Sequence, residues 1–186
     1  MKITIKTLGL VLGLTAASFT TFAQTGTVMV GGEAMYPKKN IVENAVNSKD
    51  HTTLVAAVKA ADLVEPLMGA GPFTVFAPVN TAFDKLPAGT VTTLLKPENK
   101  STLAGILTYH VVAGKYDAKE LMKLITKGKG TAKLKTLSGH TLTAKMNGAM
   151  NVIIEDEKGG IANISTYDVY QSNGVIHSID TVLLPK

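Results

Sequence analysis

The chain contains no cysteine. That absence removes structural disulfides, thiol nucleophiles and thiolate metal sites together, so a folded product must be held by packing and hydrogen bonds alone. Arginine is missing as well, and every basic residue is lysine. Bidentate readout of guanine or of a phosphate relies on arginine's planar fork, whereas lysine meets anions as a hydrated point charge, so no nucleic-acid partner is expected. No Gly-x-Ser-x-Gly elbow is present, and Gly69-Ala70-Gly71 lacks the downstream glycine and lysine of a phosphate loop. Beyond the N-terminus no long apolar run occurs, and no motif implies a cofactor.

What is present starts with a short apolar run behind two lysines, Met1-Lys2-Ile3-Thr4-Ile5-Lys6 leading into Leu8 to Ala17. It is too short for a membrane-spanning helix and has the form of a secretory signal peptide. Thr21-Phe22-Ala23 places small residues three and one before a cut, so residues 1–23 are expected to be removed after Ala23 and the product to be secreted or periplasmic. Gln24 to Lys39, with Gly26, Gly31, Gly32 and Pro37, reads as a flexible leader. Residues 40–186 then form one domain, long enough to bury about 70 % of its unfolded surface.

Within that domain the first half has helical periodicity. Asn40 to Asp50 and Thr52 to Val64 are expected as helices, with Leu54, Ala57, Val58 and Ala61 on one face of the second and Thr52 or Thr53 as its cap. Phe73 to Pro78 alternates bulky and small residues as a strand, and helices are expected near Thr90 to Leu95 and Pro97 to Leu107. Tyr109 to Val112 reads as the next strand, followed by a helix over Ala118 to Thr126 that Asp117 caps. From Lys133 onward the period changes to two, with turns at Ser138-Gly139, Asn147-Gly148, Gly159-Gly160 and Asn173-Gly174. Helices first and hairpins second predict an α+β fold with a mainly antiparallel sheet.

Three motifs occur in order. Gly71-Pro72-Phe73-Thr74-Val75-Phe76-Ala77-Pro78 and Asn173-Gly174-Val175-Ile176-His177-Ser178-Ile179-Asp180 resemble the first and last signature segments of the fasciclin domain, and Tyr109-His110 matches that family's central motif. The resemblance covers roughly Asn40 to Pro185. It implies a compact β-sandwich with helices wedged around one end, and a role in cell adhesion or matrix binding in a family whose members are mostly not enzymes. It also suggests a structural network in which Asn80, Thr81 and Asp180 supply the partners of a buried His110. Strand alternation then turns Tyr109 to the opposite face, toward the surface where family members meet partners.

His51, His110, His140 and His177 show no metal-binding spacing. Glu155-Asp156-Glu157 lacks the alternation of a calcium loop and reads as a solvated hairpin turn. Asn99-Lys100-Ser101 and Asn163-Ile164-Ser165 are glycosylation sequons. Charge concentrates between Lys115 and Lys145, where Lys119, Lys123 and Lys127 recur every fourth residue along one helical face. That stripe is either a solvated face or a weak, salt-sensitive patch for an anionic polysaccharide or membrane headgroups. The function expected is a non-catalytic extracytoplasmic binding or adhesion module for a cell-surface protein, matrix or polysaccharide. The alternatives are a small-ligand carrier with a deep apolar pocket, and a hydrolase using His110 or His177.

Overall fold

The computed structural model describes residues 26–186; the expected signal peptide and its cut after Ala23 lie outside the described residues. The described chain opens with a hairpin of β1 (Val28–Val30) and β2 (Glu33–Met35). Helices α1 (Ile41–Ala45), α2 (Thr52–Ala60) and α3 (Val64–Met68) precede β3 (Phe73–Pro78). Helices α4 (Asn80–Asp84), α5 (Thr90–Leu94) and α6 (Lys100–Tyr109) lead to β4 (Val111–Ala113) and α7 (Ala118–Lys127). The remainder is strand: β5 (Thr131–Lys135), β6 (Thr141–Asn147), β7 (Asn151–Glu155), β8 (Ile161–Gln171) and β9 (Gly174–Ile179). Local chemistry accounts for the best-defined helix starts. Asn40 Oδ1 accepts the Glu43 backbone N–H at 2.9 Å while Glu43 returns a carboxylate to Asn40 N at 2.8 Å, a complete capping box for α1. Asp117 accepts from Glu120 N at 2.9 Å and starts α7 as expected.

The large sheet runs β4-β3-β9-β8-β7-β6-β5, with every neighbouring pair antiparallel except β3 and β9. It curls until its two ends meet: Val112 bridges Thr136, and Leu137 N donates to Val111 O at 2.8 Å. The long strand β8 belongs to both halves of the curl, and register shifts between Ile164 and Val169 bend it there. The fold is therefore the α+β, mainly antiparallel arrangement that the sequence implies.

Side-chain alternation along the central strands divides the interior into two cores. Phe76, Ile179, Leu121, Ile125 and Leu142 pack inside the curl under α7. Val75, Ala77, Ile176, Leu54 and Leu107 pack on the other face, beneath the N-terminal helices. The expected flexible leader is corrected here. Gly31 and Gly32 take φ of 61° and 78° as the tight turn of the β1–β2 hairpin, and Val30 and Met35 are buried in the second core. A glycine pair that reads as looseness in sequence is a turn whose flanking strands have an apolar face to bury.

Two glycines decide how closely β3 and β9 can start together. A Cβ on Gly71 would fall 2.0 Å from Asn173 O, and one on Gly174 would fall 2.1 Å from Phe73 O. Only backbone fits in that contact. A few residues further on, Tyr109 and His110 depart from the expected strand: Tyr109 is the last residue of α6, His110 caps it with helical φ and ψ, and β4 begins at Val111.

His110 is 2 % exposed and holds the end of α6 against the C-terminal segment. Its Nδ1–H donates to Ile106 O at 2.8 Å and its Nε2 accepts from Leu183 N at 3.0 Å. The ring is thus neutral by construction. Burial pushes its pKa down to about 4, against the opposing pull of the Ile106 carbonyl and of Asp156. His177 follows the same pattern, with Nε2–H donating to Tyr116 O at 2.8 Å and Nδ1 accepting from Asp168 N at 3.3 Å. Burial lowers its pKa too, and likewise that of His51.

Replacing His110 with alanine leaves the Leu183 N–H and the Ile106 carbonyl without the ring and should cost about 2 to 3 kcal/mol. Thermal melting should fall by about 4 to 10 °C for a domain of this size, and an unchanged melting temperature would show that the ring is dispensable. The pH dependence has a definite sign. Each buried ring takes up its proton more readily unfolded, at an ordinary 6.5, than folded, so stability is full above pH 6.5 and declines as pH falls toward 4. His110 alone accounts for about 3 kcal/mol of that decline. Urea midpoints measured at intervals from pH 7.5 to 4 should drop through this window, and a flat profile would contradict the neutral-clasp assignment.

Candidate functional site

Tyr109, expected at the surface, is buried: its exposure is 0 %. As a helical residue it follows a rotation of about 100° per residue instead of strand alternation, which turns it into the first core. Its hydroxyl donates to Thr141 O at 3.2 Å and accepts from Glu157 N at 3.0 Å, and burial raises its pKa. Tyr109 therefore ties α6 to the β6 and β7 region and presents nothing to a partner.

The network suggested around His110 is also rearranged. Asp180, just past the end of β9, is engaged by β8 instead, accepting from Asn163 N at 2.8 Å and Asn163 Nδ2 at 3.0 Å, with Lys85 at 3.5 Å. Burial pushes that carboxyl up, but the Asn163 donors, Thr181 and Lys85 together hold it below its ordinary value. Chain continuing past Asp180 brings Leu183 to the ring instead, so the last segment does reach His110, through its backbone. Asn80 stays near the start of the molecule: its Oδ1 accepts from Thr53 N at 3.0 Å and Thr52 Oγ1 at 3.2 Å, and its Nδ2 donates to Lys49 O at 2.8 Å. It caps α2 from a distance, where Thr52 or Thr53 was expected to do so locally. Thr81 is exposed, with no side-chain hydrogen bond among the described residues.

The acidic run is not a solvated turn. Asp156, 9 % exposed, accepts from Lys158 N, Gly160 N and Leu184 N at 2.9, 2.7 and 3.0 Å. Glu157 engages His140 Nδ1 at 2.9 Å and Thr141 N at 3.1 Å, and Glu155 pairs with Lys145. Among the described residues no group of three or more histidines and carboxylates is placed to hold a metal ion. In the sequence Asn173 has only the signature of a turn residue. It also spans the domain, accepting from Ile41 N at 3.0 Å and donating to Leu67 O and Gly69 O at 2.9 and 3.0 Å. Nothing local marks that role, because each of its partners lies more than 100 positions away.

The basic stripe is where the sequence places it. Lys119, Lys123 and Lys127 are exposed on α7, while Leu121 and Ile125 on its other side are buried. Lys133 and Lys135 occupy the outward positions of β5. Other lysines of the segment are engaged: Lys115 lies 4.6 Å from the ring centre of Tyr170, Lys145 pairs with Glu155, and Lys123 reaches Glu120 at 3.3 Å. Among the described residues Lys119, Lys127, Lys129, Lys133 and Lys135 have no acidic partner.

Comparison with known proteins agrees with this architecture. The family model for the fasciclin domain matches residues 49–185. Protein sll1483 of Synechocystis is 50 % identical over 147 residues, which cover 78 % of this chain and 73 % of that one. The cell surface glycolipoprotein MPB83 of Mycobacterium bovis is 35 % identical over 179 residues, covering 94 % and 72 %. The fold matches a FAS1 domain pair from the insect cell adhesion molecule fasciclin I with a TM-score of 0.69 at 20 % identity, over 85 % of this chain and 57 % of that one. Because the family match spans the three motifs and the whole sheet, the chain belongs to the fasciclin domain family.

Proposed function

We propose that this protein is a non-catalytic binding module, working outside the cytoplasm, that uses the lysine face of α7 to hold an anionic polysaccharide. The observation that carries the reading is the division of α7 into a buried apolar side and an exposed side bearing Lys119, Lys123 and Lys127. Among the described residues only Glu120 pairs with a lysine of that face, Lys123. Exposed lysines of this kind attract polyanions over about 10 Å at 0.1 M salt and lose that attraction as salt rises. A non-catalytic role is supported by the histidines, since both nitrogens of His110 and of His177 are already bonded to backbone groups and neither is free to take a substrate proton. The extracytoplasmic setting is supported by the N-terminal signal pattern and by the names of two relatives, one a cell surface glycolipoprotein and one a cell adhesion molecule.

Binding to a sulfated or uronic-acid polysaccharide should weaken more than about tenfold as salt is raised from low to physiological strength. Changing Lys119, Lys123 and Lys127 together to glutamate should abolish it. These side chains are exposed, so melting of the triple variant should stay within about 0.5 kcal/mol per site of wild type. Retained binding in a normally folded triple variant would remove the proposal.

A further inference from the structure

Between the N-terminal helices and the strands β3 and β9 lies a cavity of about 200 Å³. Its walls are aliphatic, with Ile41, Leu54, Val75, Leu107 and Ile176 among them. The exposed residues Val46 and Lys59 also line it, so it opens to solvent between α1 and α2. Two buried polar atoms of its lining residues are unpartnered. His51 Nε2 and Ser178 Oγ, in residues 3 % and 1 % exposed, have no hydrogen-bond partner in the protein, and both residues line the cavity.

The surrounding bonds fix what these atoms offer. His51 Nδ1 lies 2.8 Å from Ser48 Oγ, and that hydroxyl has no other side-chain partner among the described residues. The Ala77 carbonyl beside the ring can only accept, which assigns the ring proton to Nε2 and leaves Nδ1 to accept from Ser48 O–H. That carbonyl draws the His51 pKa upward against burial, yet falls short of full hydrogen-bond geometry with Nε2. Ala77 stands opposite Ser178 in the register of β3 with β9, one strand spacing of about 4.8 Å away. Both unpartnered groups thus belong to residues that line the one cavity, and each can donate: an N–H and an O–H. A second cavity, of about 270 Å³ beneath α5 and α6, has no such feature: neither unpartnered atom belongs to its lining, and His110 in its wall is bonded at both nitrogens.

We propose that the cavity beneath α1 and α2 binds a compact apolar molecule carrying one carbonyl oxygen, which accepts from both His51 Nε2 and Ser178 Oγ while its hydrocarbon part lies on the aliphatic walls. A carbonyl has two lone pairs and no proton of its own, so it satisfies both donors and leaves nothing unpaired. Size narrows the class further. An apolar cavity of about 150 Å³ holds benzene, so this one takes a ligand of roughly eight to ten heavy atoms. The inference is independent of the lysine face, whose helix packs on the other core.

Acetophenone and ethylbenzene test it, since they share a ring and differ in the carbonyl. Ethylbenzene is the more apolar and would be preferred by a site that only excludes water. Titration followed by amide NMR should give acetophenone at least about tenfold the affinity of ethylbenzene, with shifts at Leu54, Val75 and Ile176. His51→Phe and Ser178→Ala should each erase or reverse the preference, while Lys119→Glu should leave it unchanged. Equal or tighter ethylbenzene binding to the wild-type protein would overturn the proposal whether or not the variants fold. So would the failure of both compounds to bind up to their solubility, since the two donors would then be served by water alone.

Discussion

The parallel pairing of β3 with β9 is the constraint on which the rest of the domain depends. Its two strands lie about a hundred residues apart in sequence, Phe73 opposite Gly174 through Pro78 opposite Ile179, so its formation closes a long loop before any local contact compensates. It brings together the first and last motifs of the sequence, and the backbone contact at Gly71 and Gly174 sets their spacing. The alternation of those two strands then creates both cores. Phe76 and His177 stack with ring centres 5.8 Å apart on one face, while Val75, Ala77, Ile176 and Ser178 face the helices on the other. Asn173, just ahead of β9, completes the arrangement by holding the ends of α1 and α3.

Burying polar side chains at such a junction is tolerable only if each atom is met. Histidine suits the task because its neutral ring is a donor at one nitrogen and an acceptor at the other. At His110 the donor meets the last turn of α6 and the acceptor meets Leu183, so one ring joins three regions: the end of a helix, the start of β4 and the C-terminal segment. A charged ring would point an N–H at the Leu183 N–H. The expected loss of stability in acid is the direct consequence of using this residue as a clasp.

Much of this was legible in the sequence, and the failures share a cause. Period-two patterns located β3 and the hairpin turns between β5 and β9, with the ends of β5, β8 and β9 displaced by several residues; β5, β6 and β7 alternate because each has one buried face, whereas β3 and β9 are buried on both. The Tyr109-His110-Val111-Val112 run was misread because β propensity of the last two residues masks a helix that continues through Tyr109. Gly31-Gly32 was misread because flexibility and a tight turn use the same residue, and only burial of Val30 and Met35 distinguishes them. Asp180, Asn80 and Asn173 were placed in the right segments. Their partners could not be read, since those depend on where strands separated by many tens of residues come to rest.

The three buried histidines also separate what the fold needs from what it merely carries. His110 and His177 each have both nitrogens bonded to backbone, and the bonds link elements that would otherwise part. His51 has one nitrogen bonded to Ser48 three residues away and the other unpartnered in a residue that lines a cavity. Its local bond joins nothing distant, and its free N–H, like the Ser178 hydroxyl, lowers stability by about 1 to 3 kcal/mol. The small side chain of Ala77 beside them leaves room that a larger aliphatic residue would fill, and a filled cavity would be more stable by about 24 cal/mol for each Å³ recovered. A fold under no demand but stability has a direct route to removing all three features. Their coincidence in the lining of one cavity therefore sets them apart from the clasps, as a site built to receive an oxygen atom.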